Sequence, residues 1–286
     1  MSGSRYLAIT PARDEELCLP RLIGAMAAQI RPPDRWIVID DGSDDDTGAL
    51  VSAAAAKYPW IEVHHLPRNQ TRTPGGESVV TRFLSRDVYS QFDYIMRIDA
   101  DISFDADFSE LLVAEFARDV NLGISGPTLY EPDGIGWHEI RQPEFHTRGA
   151  AKMYSSACLA AIGGLNGSLG WDTLDEAHAM MLGFRTRNFR HIKARHHRPQ
   201  GAASGWRART AAGLSAYNVG YSPLFLWARA VRQSLKPPVP FAGMLMVSGY
   251  LQGYLQRRRR IASPEVVKFI RRQQVRRLLL RESLWR

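Results

Sequence analysis

Four short segments with the composition of strands, in the N-terminal third of the chain, constrain the fold more than any other feature. They are Tyr6–Thr10, Trp36–Ile39, Ile61–Leu66 and Tyr94–Ile98. Runs of this length, bounded by turn residues, are typical of buried strands in a parallel sheet. The intervening segments 15–30, 47–58 and 77–89 have the composition or apolar spacing of helices, and residues 149–162 further along the chain are also expected to be helical. This alternation predicts an α/β fold with a mostly parallel sheet flanked by helices.

Polar and acidic residues follow three of these predicted strands. Arg13-Asp14-Glu15 lies just beyond the first, Asp40-Asp41 closes the second, and Asp99-Ala100-Asp101 closes the fourth. In such sheets, ligands bind at the carboxyl ends of the strands. The sequence therefore predicts a site at one sheet edge where several carboxylates converge.

The pair Asp99 and Asp101 points to a metal bound with a phosphate-containing ligand. Mg²⁺ and Mn²⁺ prefer oxygen ligands and neutralise the charge of a diphosphate leaving group. An Asp-x-Asp sequence alone also occurs in ordinary turns. Its position directly after a buried strand, beside other acidic strand ends, is what favours a site using Mg²⁺ or Mn²⁺.

Three blocks together resemble the family 2 glycosyltransferases, which have a GT-A fold. The blocks are Ile9–Glu15, Val38–Thr47 and Ile98–Asp101, and the resemblance covers roughly residues 5–200. It implies an inverting transfer from a nucleotide-diphosphate sugar, with a UDP-sugar favoured. It assigns the nucleotide sugar to Pro11, Arg13, Glu15, Asp41 and Asp99, and the metal to Asp101.

The same resemblance implies a catalytic base near the start of a later helix. The family has a Glu-Asp pair eleven residues before a glycine, and Asp172 stands at that distance from Gly183. Trp171 occupies the position where the family usually has Glu, so Asp175 and Glu176 remain alternatives. Acids at a helix N-terminus also stabilise the helix dipole without any catalytic role.

A late histidine completes the metal site in related enzymes. His196 is the candidate here, and the neighbouring His197 remains an alternative. The adjacent Arg195 or Arg198 is suited to neutralising phosphate.

The predicted domain plan has two parts. A catalytic domain covers residues 1–205, with a nucleotide-sugar half at about 1–105 and an acceptor half at about 106–205. A helical, amphipathic and basic region covers 206–286. Its last thirty residues contain 11 Lys or Arg and 2 Asp or Glu, whereas the rest of the chain is nearly neutral.

The basic region predicts association with an anionic membrane surface. Phe241–Leu255 is apolar but too short to cross a bilayer, so a helix in the interface is expected, with Trp227, Tyr250 and Tyr254 at headgroup level. The expected location is the cytoplasmic side of the cell membrane, peripheral or monotopic. An alternative is that these helices pack on the catalytic domain or on a second subunit in a homo-oligomer. No nucleic-acid partner is expected.

The function that these features favour is glycosyl transfer to a lipid-linked or polysaccharide precursor. Two alternatives remain open: a sugar nucleotidyltransferase, which also uses acidic strand ends, and a non-catalytic membrane adaptor with a degenerate transferase fold. The first predicted strand is followed by no G-x-G-x-x-G sequence, which disfavours a dehydrogenase.

Overall fold

The computed structural model describes residues 3–68, 77–198, 205–235 and 241–285. The chain divides into two compact units. The first comprises Met1–Gly167 and Leu182–Pro199, and the second comprises Ser168–Met181 and Gln200–Arg286. Residues 168–181, which the sequence placed in the acceptor half of the catalytic domain, thus group with the C-terminal helices.

The first unit is built on one mixed sheet. Its strands are β1 Tyr6–Ala12, β2 Arg35–Asp40, β3 Ile61–His65, β4 Tyr94–Ile98, β5 Ile102–Phe104, β6 Leu122–Pro132, β7 Trp137–Glu139, β8 Ala151–Ser155 and β9 Arg185–His196. Its helices are α1 Leu19–Ala27, α2 Thr47–Lys57, α3 Glu77–Phe83, α4 Arg86–Tyr89, α5 Phe108–Arg118 and α6 Ser156–Ala161. The α/β class is confirmed.

The sheet order is β3-β2-β1-β4-β8-β6-β9-β5, and β7 pairs with β6. Within the group β1 to β4, all paired strands run parallel, as the alternation of strands and helices predicted. Strand β8 runs antiparallel to β4 and β6, while β9 runs parallel to β6 and antiparallel to β5. The N-terminal half of the sheet is therefore parallel, and the C-terminal half is mixed.

The core lies between the sheet and its helices. Trp36 of β2 is fully buried, and its indole Nε1 donates to Thr10 Oγ1 at 3.0 Å. Leu22 and Met26 of α1 are buried at helical spacing, and Phe104 stacks on Phe108 with ring centroids 4.2 Å apart. Close packing of this kind fixes the strand ends on which the candidate site is built.

Three local expectations differ from the structure. The helix expected at 15–30 is shorter, because Glu15 to Cys18 form the turn that leads into α1. The helix expected at 77–89 is broken into α3 and α4. A segment expected to be helical at 149–162 instead forms β8 and then α6, because Ala151–Ser155 pairs along its whole length with β4.

The second unit is helical. Its elements are α7 Trp171–Met181, α8 Gly205–Val219, α9 Pro223–Ser234, α10 Phe241–Leu255 and α11 Pro264–Leu278. Helix α10 packs on α8 and α9, and α7 packs on α8 and α11. A Cβ on Gly213 would lie 2.8 Å from the carbonyl carbon of Met246, so glycine permits the close approach of α8 and α10.

Two findings concern the expected membrane helix. Tyr250 is buried and its hydroxyl donates to the Tyr221 carbonyl at 2.7 Å, so the expectation that it lies at headgroup level is wrong. No helix in the part of the chain that the structure describes has both the length and the apolarity needed to cross a bilayer.

Candidate functional site

The candidate site lies where β1, β2 and β4 end. Because β1 lies between β2 and β4 and is parallel to both, the residues that follow these strands emerge at one edge. The Asp99 N–H donates to the Ala150 carbonyl at 2.9 Å, which extends the pairing of β4 with β8 by one residue. The backbone of the acidic segment is thereby fixed.

Asp101 is the centre of this edge. Its Oδ2 lies 3.3 Å from Nε2 of His196 and accepts a hydrogen bond from Nε of Arg198 at 3.0 Å. The Asp101 side chain is 10% exposed. Burial alone would raise the pKa of this carboxyl, but the hydrogen bond with His196 and the charges of both partners lower it below its ordinary value. Asp101 is therefore held as a carboxylate.

His196 is held between two carboxylates. It ends β9 and pairs in register with Ile102 of β5, which places its ring beside Asp101. On the other side of the ring, Nδ1 lies 3.3 Å from Oε1 of Glu131. Burial lowers the pKa of His196, but Asp101 and Glu131 outweigh it and the net shift is upward.

His197, the alternative candidate, contacts different groups. Its Nε2 lies 2.8 Å from Ser103 Oγ, and its ring meets the edge of Trp137 with centroids 5.2 Å apart. Of the two histidines, it is His196 that contacts Asp101 through its ring.

Glu15 shares the guanidinium of Arg198 with Asp101. Its Oε1 forms an ion pair with Arg198, while its Oε2 is buried and has no hydrogen-bond partner among the described residues. The Glu15 N–H donates to Thr47 Oγ1 at 2.7 Å, which fixes the turn after β1. Desolvation, opposed by Arg198, raises the pKa of Glu15 to about 7. Glu15 thus offers one unsatisfied carboxylate oxygen to a ligand.

Asp99 is paired with Arg97, a buried arginine of the preceding strand β4. Nη1 of Arg97 lies 2.6 Å from Oδ1 of Asp99 and donates to the Gly149 carbonyl at 2.6 Å. Desolvation raises the pKa of Asp99 and the nearby Asp101 charge adds to this, although Arg97 opposes it. The Asp99 side chain is still 31% exposed, so its carboxylate is open to a ligand on one side.

The turn after β2 gives its two aspartates different tasks. Asp40 accepts hydrogen bonds from the Ser43 N–H at 3.0 Å and the Ser43 hydroxyl at 2.6 Å, and it lies 3.0 Å from Nδ1 of His65. Asp40 therefore closes the turn. Asp41 instead lies 3.7 Å from Nη1 of Arg13, a side chain that is only 9% exposed.

The remaining nucleotide candidate, Pro11, lies in β1 opposite Ile39 of β2. The structure thus brings Pro11, Arg13, Glu15, Asp41, Asp99, Asp101 and His196 to the same edge of the first unit.

A sequence model of glycosyl transferase family 2 matches residues 7–165, which is more than half of the chain. The chain belongs to glycosyl transferase family 2. The matched segment contains the strand ends that carry Glu15, Asp41, Asp99 and Asp101. No curated protein matches the chain by sequence.

Solved structures of other glycosyltransferases share this fold. The mannosyltransferase PcManGT from Pyrobaculum calidifontis, in complex with GDP-Man and Mn²⁺, is 17% identical with a TM-score of 0.57, over 98% of this chain and 76% of that one. TarS 1-349 from S. aureus in complex with UDP-GlcNAc is 13% identical with a TM-score of 0.57, over 89% and 92%. GalNAc-T7 with UDP, GalNAc and Mn²⁺ is 12% identical with a TM-score of 0.63, over 99% and 55%. At these identities the likeness is one of fold.

In this family 2 chain, Asp172 belongs to the second unit. It lies in the first turn of α7 and is half-buried, whereas Asp175 and Glu176 are 5% and 1% exposed. Gly170, with φ of 103°, precedes the helix, and a Cβ there would lie 2.7 Å from Val219 Cγ2. Glycine therefore allows α7 to begin close against α8. Of the three candidate acids, Asp172 is the most accessible to a substrate.

The donor atoms of this family 2 site fit a divalent cation that also binds phosphate. Within residues 3–68, 77–198, 205–235 and 241–285, no group of three or more His, Cys, Asp or Glu is arranged to hold a metal. Asp101 and His196 do offer one carboxylate and one imidazole nitrogen 3.3 Å apart. Mg²⁺ sites commonly use one or two carboxylates with substrate phosphates and water, so a two-residue protein contribution is chemically sufficient.

Two residues of the site were not predicted from the sequence. Glu131 near the end of β6 orients His196, and Arg97 inside β4 pairs with Asp99. The sequence does contain a signal for Arg97, because a charged residue within an otherwise apolar strand predicts a buried partner. Glu131 had none, since only the parallel pairing of β6 with β9 brings it to His196.

Proposed function

We propose that this chain is an inverting glycosyltransferase that moves a sugar from a nucleotide-diphosphate sugar, preferably a UDP-sugar, to a hydroxyl of a lipid-linked or polysaccharide precursor. The observation that carries the proposal is the contact of Asp101 with both His196 and Arg198 at the carboxyl edge of a family 2 sheet. The nucleotide sugars named with PcManGT and TarS support this donor class.

The donor half of the site works by charge complementarity. Pro11, Arg13, Glu15 and Asp41 would hold the nucleotide, with Asp99 at the ribose or at a metal-bound water. Arg13 and Asp41 position each other at 3.7 Å. The free, buried Oε2 of Glu15 is an acceptor suited to a hydroxyl or N–H of the nucleotide.

Asp101 of the Asp-x-Asp motif and His196, the late histidine, would hold Mg²⁺ or Mn²⁺, as the resemblance to this family implies. When bound, the metal supplies Lewis-acid stabilisation of the departing nucleotide diphosphate. Glu131 would keep the proton on Nδ1 of His196, so that Nε2 presents its lone pair. The Mn²⁺ named with PcManGT and GalNAc-T7 supports a divalent cation.

The acceptor half needs a base, and Asp172 is the proposed one. A carboxylate takes the proton from the acceptor hydroxyl while that oxygen attacks the anomeric carbon on the face opposite the leaving group. The half-buried position of Asp172 in the first turn of α7 suits this task better than the buried Asp175 and Glu176.

The test is a donor screen with the purified chain. UDP- and GDP-sugars are offered with lipid-linked and oligosaccharide acceptors, Mg²⁺ or Mn²⁺, and EDTA controls, and released nucleotide diphosphate is measured. The proposal expects acceptor-dependent UDP release and a product of inverted anomeric configuration by NMR. A product of retained configuration would contradict the inverting assignment.

The same assay tests the role of Asp172 as the base and distinguishes the two alternative functions. Asp172→Asn should lower kcat by about 10²- to 10⁴-fold without weakening donor binding. Glu265→Gln, which alters an exposed acid in the first turn of α11, should leave kcat unchanged. Release of pyrophosphate from a nucleoside triphosphate and a sugar phosphate would indicate a nucleotidyltransferase. An adaptor would turn over no donor.

A further inference from the structure

Helix α9 of the second unit has two apolar faces, one packed inside the unit and one exposed. Leu226 and Ala230 are buried against neighbouring helices. Leu224, Trp227 and Val231 are exposed to 68%, 65% and 51%. Their spacing of three and four residues places them on one face of the helix. Apolar side chains arranged as a continuous exposed stripe mark an interaction site far more often than scattered ones do.

Helix α10 repeats the arrangement. It buries Ala242 and Met246, while Met244, Leu251 and Leu255 are exposed to 63%, 51% and 84%. These three residues also share a face, at spacings of seven and four. We call the six exposed residues of α9 and α10 the apolar stripes.

Small residues explain why these stripes are not needed for packing within the unit. A Cβ on Gly243 would lie 3.0 Å from the carbonyl carbon of Ala230, and a Cβ on Gly249 would lie 2.8 Å from that of Thr210. Backbones in such close contact already bury the inner face of α10. The outer face is left for a partner outside the unit.

Positive charge accompanies the apolar stripes. After Leu255 and Gln256 come the exposed Arg257, Arg258 and Arg259, and Arg229 and Arg232 are exposed on α9. From Arg257 to the end of the chain there are 11 Lys or Arg and 2 Asp or Glu. A second copy of the same basic unit would be repelled from this face. An anionic bilayer complements both features, since it accepts apolar side chains at the headgroup boundary and attracts the arginines.

We propose that the apolar stripes of α9 and α10 insert into the interface of an anionic bilayer, with Arg257, Arg258 and Arg259 at the headgroups. This identifies Leu224, Trp227, Val231, Met244, Leu251 and Leu255 as the lipid-contacting residues. The inference does not rest on the proposed transfer reaction, because docking needs neither donor nor acceptor.

The test is flotation of the full chain with vesicles of phosphatidylcholine, with and without phosphatidylglycerol, in the absence of any sugar nucleotide. The variant Leu224→Ser/Trp227→Ser/Val231→Ser should lower the vesicle-bound fraction at least about tenfold. Arg257→Gln/Arg258→Gln/Arg259→Gln should lower affinity for phosphatidylglycerol vesicles by about a hundredfold, since each basic side chain near the surface is worth about 1 kcal/mol.

The matched control replaces three exposed apolar residues of the first unit, Ile30→Ser/Val120→Ser/Ile135→Ser. It should float like the wild type. Thermal unfolding checks that every variant is folded. If the α9 variant and the control lose the same share of the vesicle-bound fraction, the proposal is overturned. It is also overturned if the wild type floats and both the α9 variant and the arginine variant float equally well. Absence of vesicle binding, together with a change of oligomeric state in the α9 variant by light scattering, would instead assign the stripes to contact between copies.

Discussion

Arg198 donates from Nε to Oδ2 of Asp101 at 3.0 Å, and this is the same carboxylate oxygen that lies 3.3 Å from Nε2 of His196. The two partners differ in exposure: the Asp101 side chain is 10% exposed and that of Arg198 is 51% exposed. The carboxylate is therefore buried, while the guanidinium is half-exposed and accessible to a ligand, which we propose is a diphosphate. In a site this acidic, a cation beside Asp101 offsets the repulsion that a diphosphate would meet.

Replacing Arg198 tests this role. Arg198→Gln removes the charge that faces Asp101 and Glu15, so we expect kcat/KM for the nucleotide sugar to fall by about 10- to 100-fold, mainly through KM. Initial rates over a range of donor concentrations measure it. Arg195→Gln is the control, because Arg195 pairs with the exposed Asp105 at 3.3 Å, and exposed pairs contribute little. Equal effects of the two substitutions would contradict the assignment.

Replacing Glu131 tests whether this carboxylate orients the ring of His196. Glu131→Gln should raise the Mn²⁺ concentration for half-maximal nucleotide release by about 10- to 100-fold while leaving maximal activity at saturating metal largely intact, because the ligand remains but its tautomer is less well fixed. Metal titration of the turnover rate measures this. Glu139→Gln on the exposed strand β7 is the matched control. An unchanged metal requirement in Glu131→Gln would show that Glu131 does not orient the histidine.

Asp40 gives a pH-dependent contribution to stability. Burial raises its pKa, but hydrogen bonds from Ser43 and His65 outweigh this and lower it below its ordinary value. A lowered pKa in the folded state stabilises the protein above the pKa of the unfolded chain, and this contribution is lost as pH falls through the folded-state pKa. Asp40→Asn should therefore destabilise by about 2 kcal/mol at pH 7 and by less under acid conditions.

Denaturant unfolding of the wild type and Asp40→Asn at several pH values measures the difference. Asp46→Asn changes an exposed acid of the same turn that makes no side-chain cap hydrogen bond, and it serves as the control. If the difference in free energy of unfolding between the wild type and Asp40→Asn stays constant from neutral to acid pH, an ionised Asp40 does not close the turn.

Gly42 tests the geometry of the turn after β2. It has φ of 70°, and a Cβ there would lie 2.5 Å from the backbone nitrogen of Arg68. Gly42→Ala should destabilise by about 2 kcal/mol and should weaken donor binding through Asp41. Gly24→Ala in α1, where an added Cβ meets nothing within 4 Å, should stabilise by about 0.5–1 kcal/mol. Thermal unfolding measures the stability of both variants. A Gly42→Ala variant as stable as the wild type would contradict the backbone strain expected at residue 42.

Local patterns predicted the N-terminal half of the sheet well. The strands β1 and β2 are mostly apolar and each of the four strands is short, and parallel pairing places the residues that follow them at one edge whatever the details of packing. The convergence of Asp41, Asp99 and Asp101 followed from that rule alone. The expected membrane helix at Phe241–Leu255 is also a helix with those bounds.

Non-local pairing was beyond the sequence argument. Ala151–Ser155 contains residues compatible with a helix, and it is a strand because β4 and β6 lie on either side of it. Glu131 reaches His196 only through the pairing of β6 with β9, which shifts register between Pro127 and Thr128. Tyr250 likewise reads as an interfacial aromatic, yet it is buried because its hydroxyl has a partner in Tyr221.

The central claim of the proposed function is that Asp101 holds the divalent cation that stabilises the departing nucleotide diphosphate, and one comparison tests it directly. Nucleotide release is measured with saturating donor, acceptor and Mn²⁺ for the wild type, Asp101→Asn and Asp105→Asn, the last an exposed aspartate four residues away. We predict that Asp101→Asn lowers the rate by at least about 10²-fold, while the control keeps the wild-type rate. Wild-type turnover by a folded Asp101→Asn variant would contradict the account.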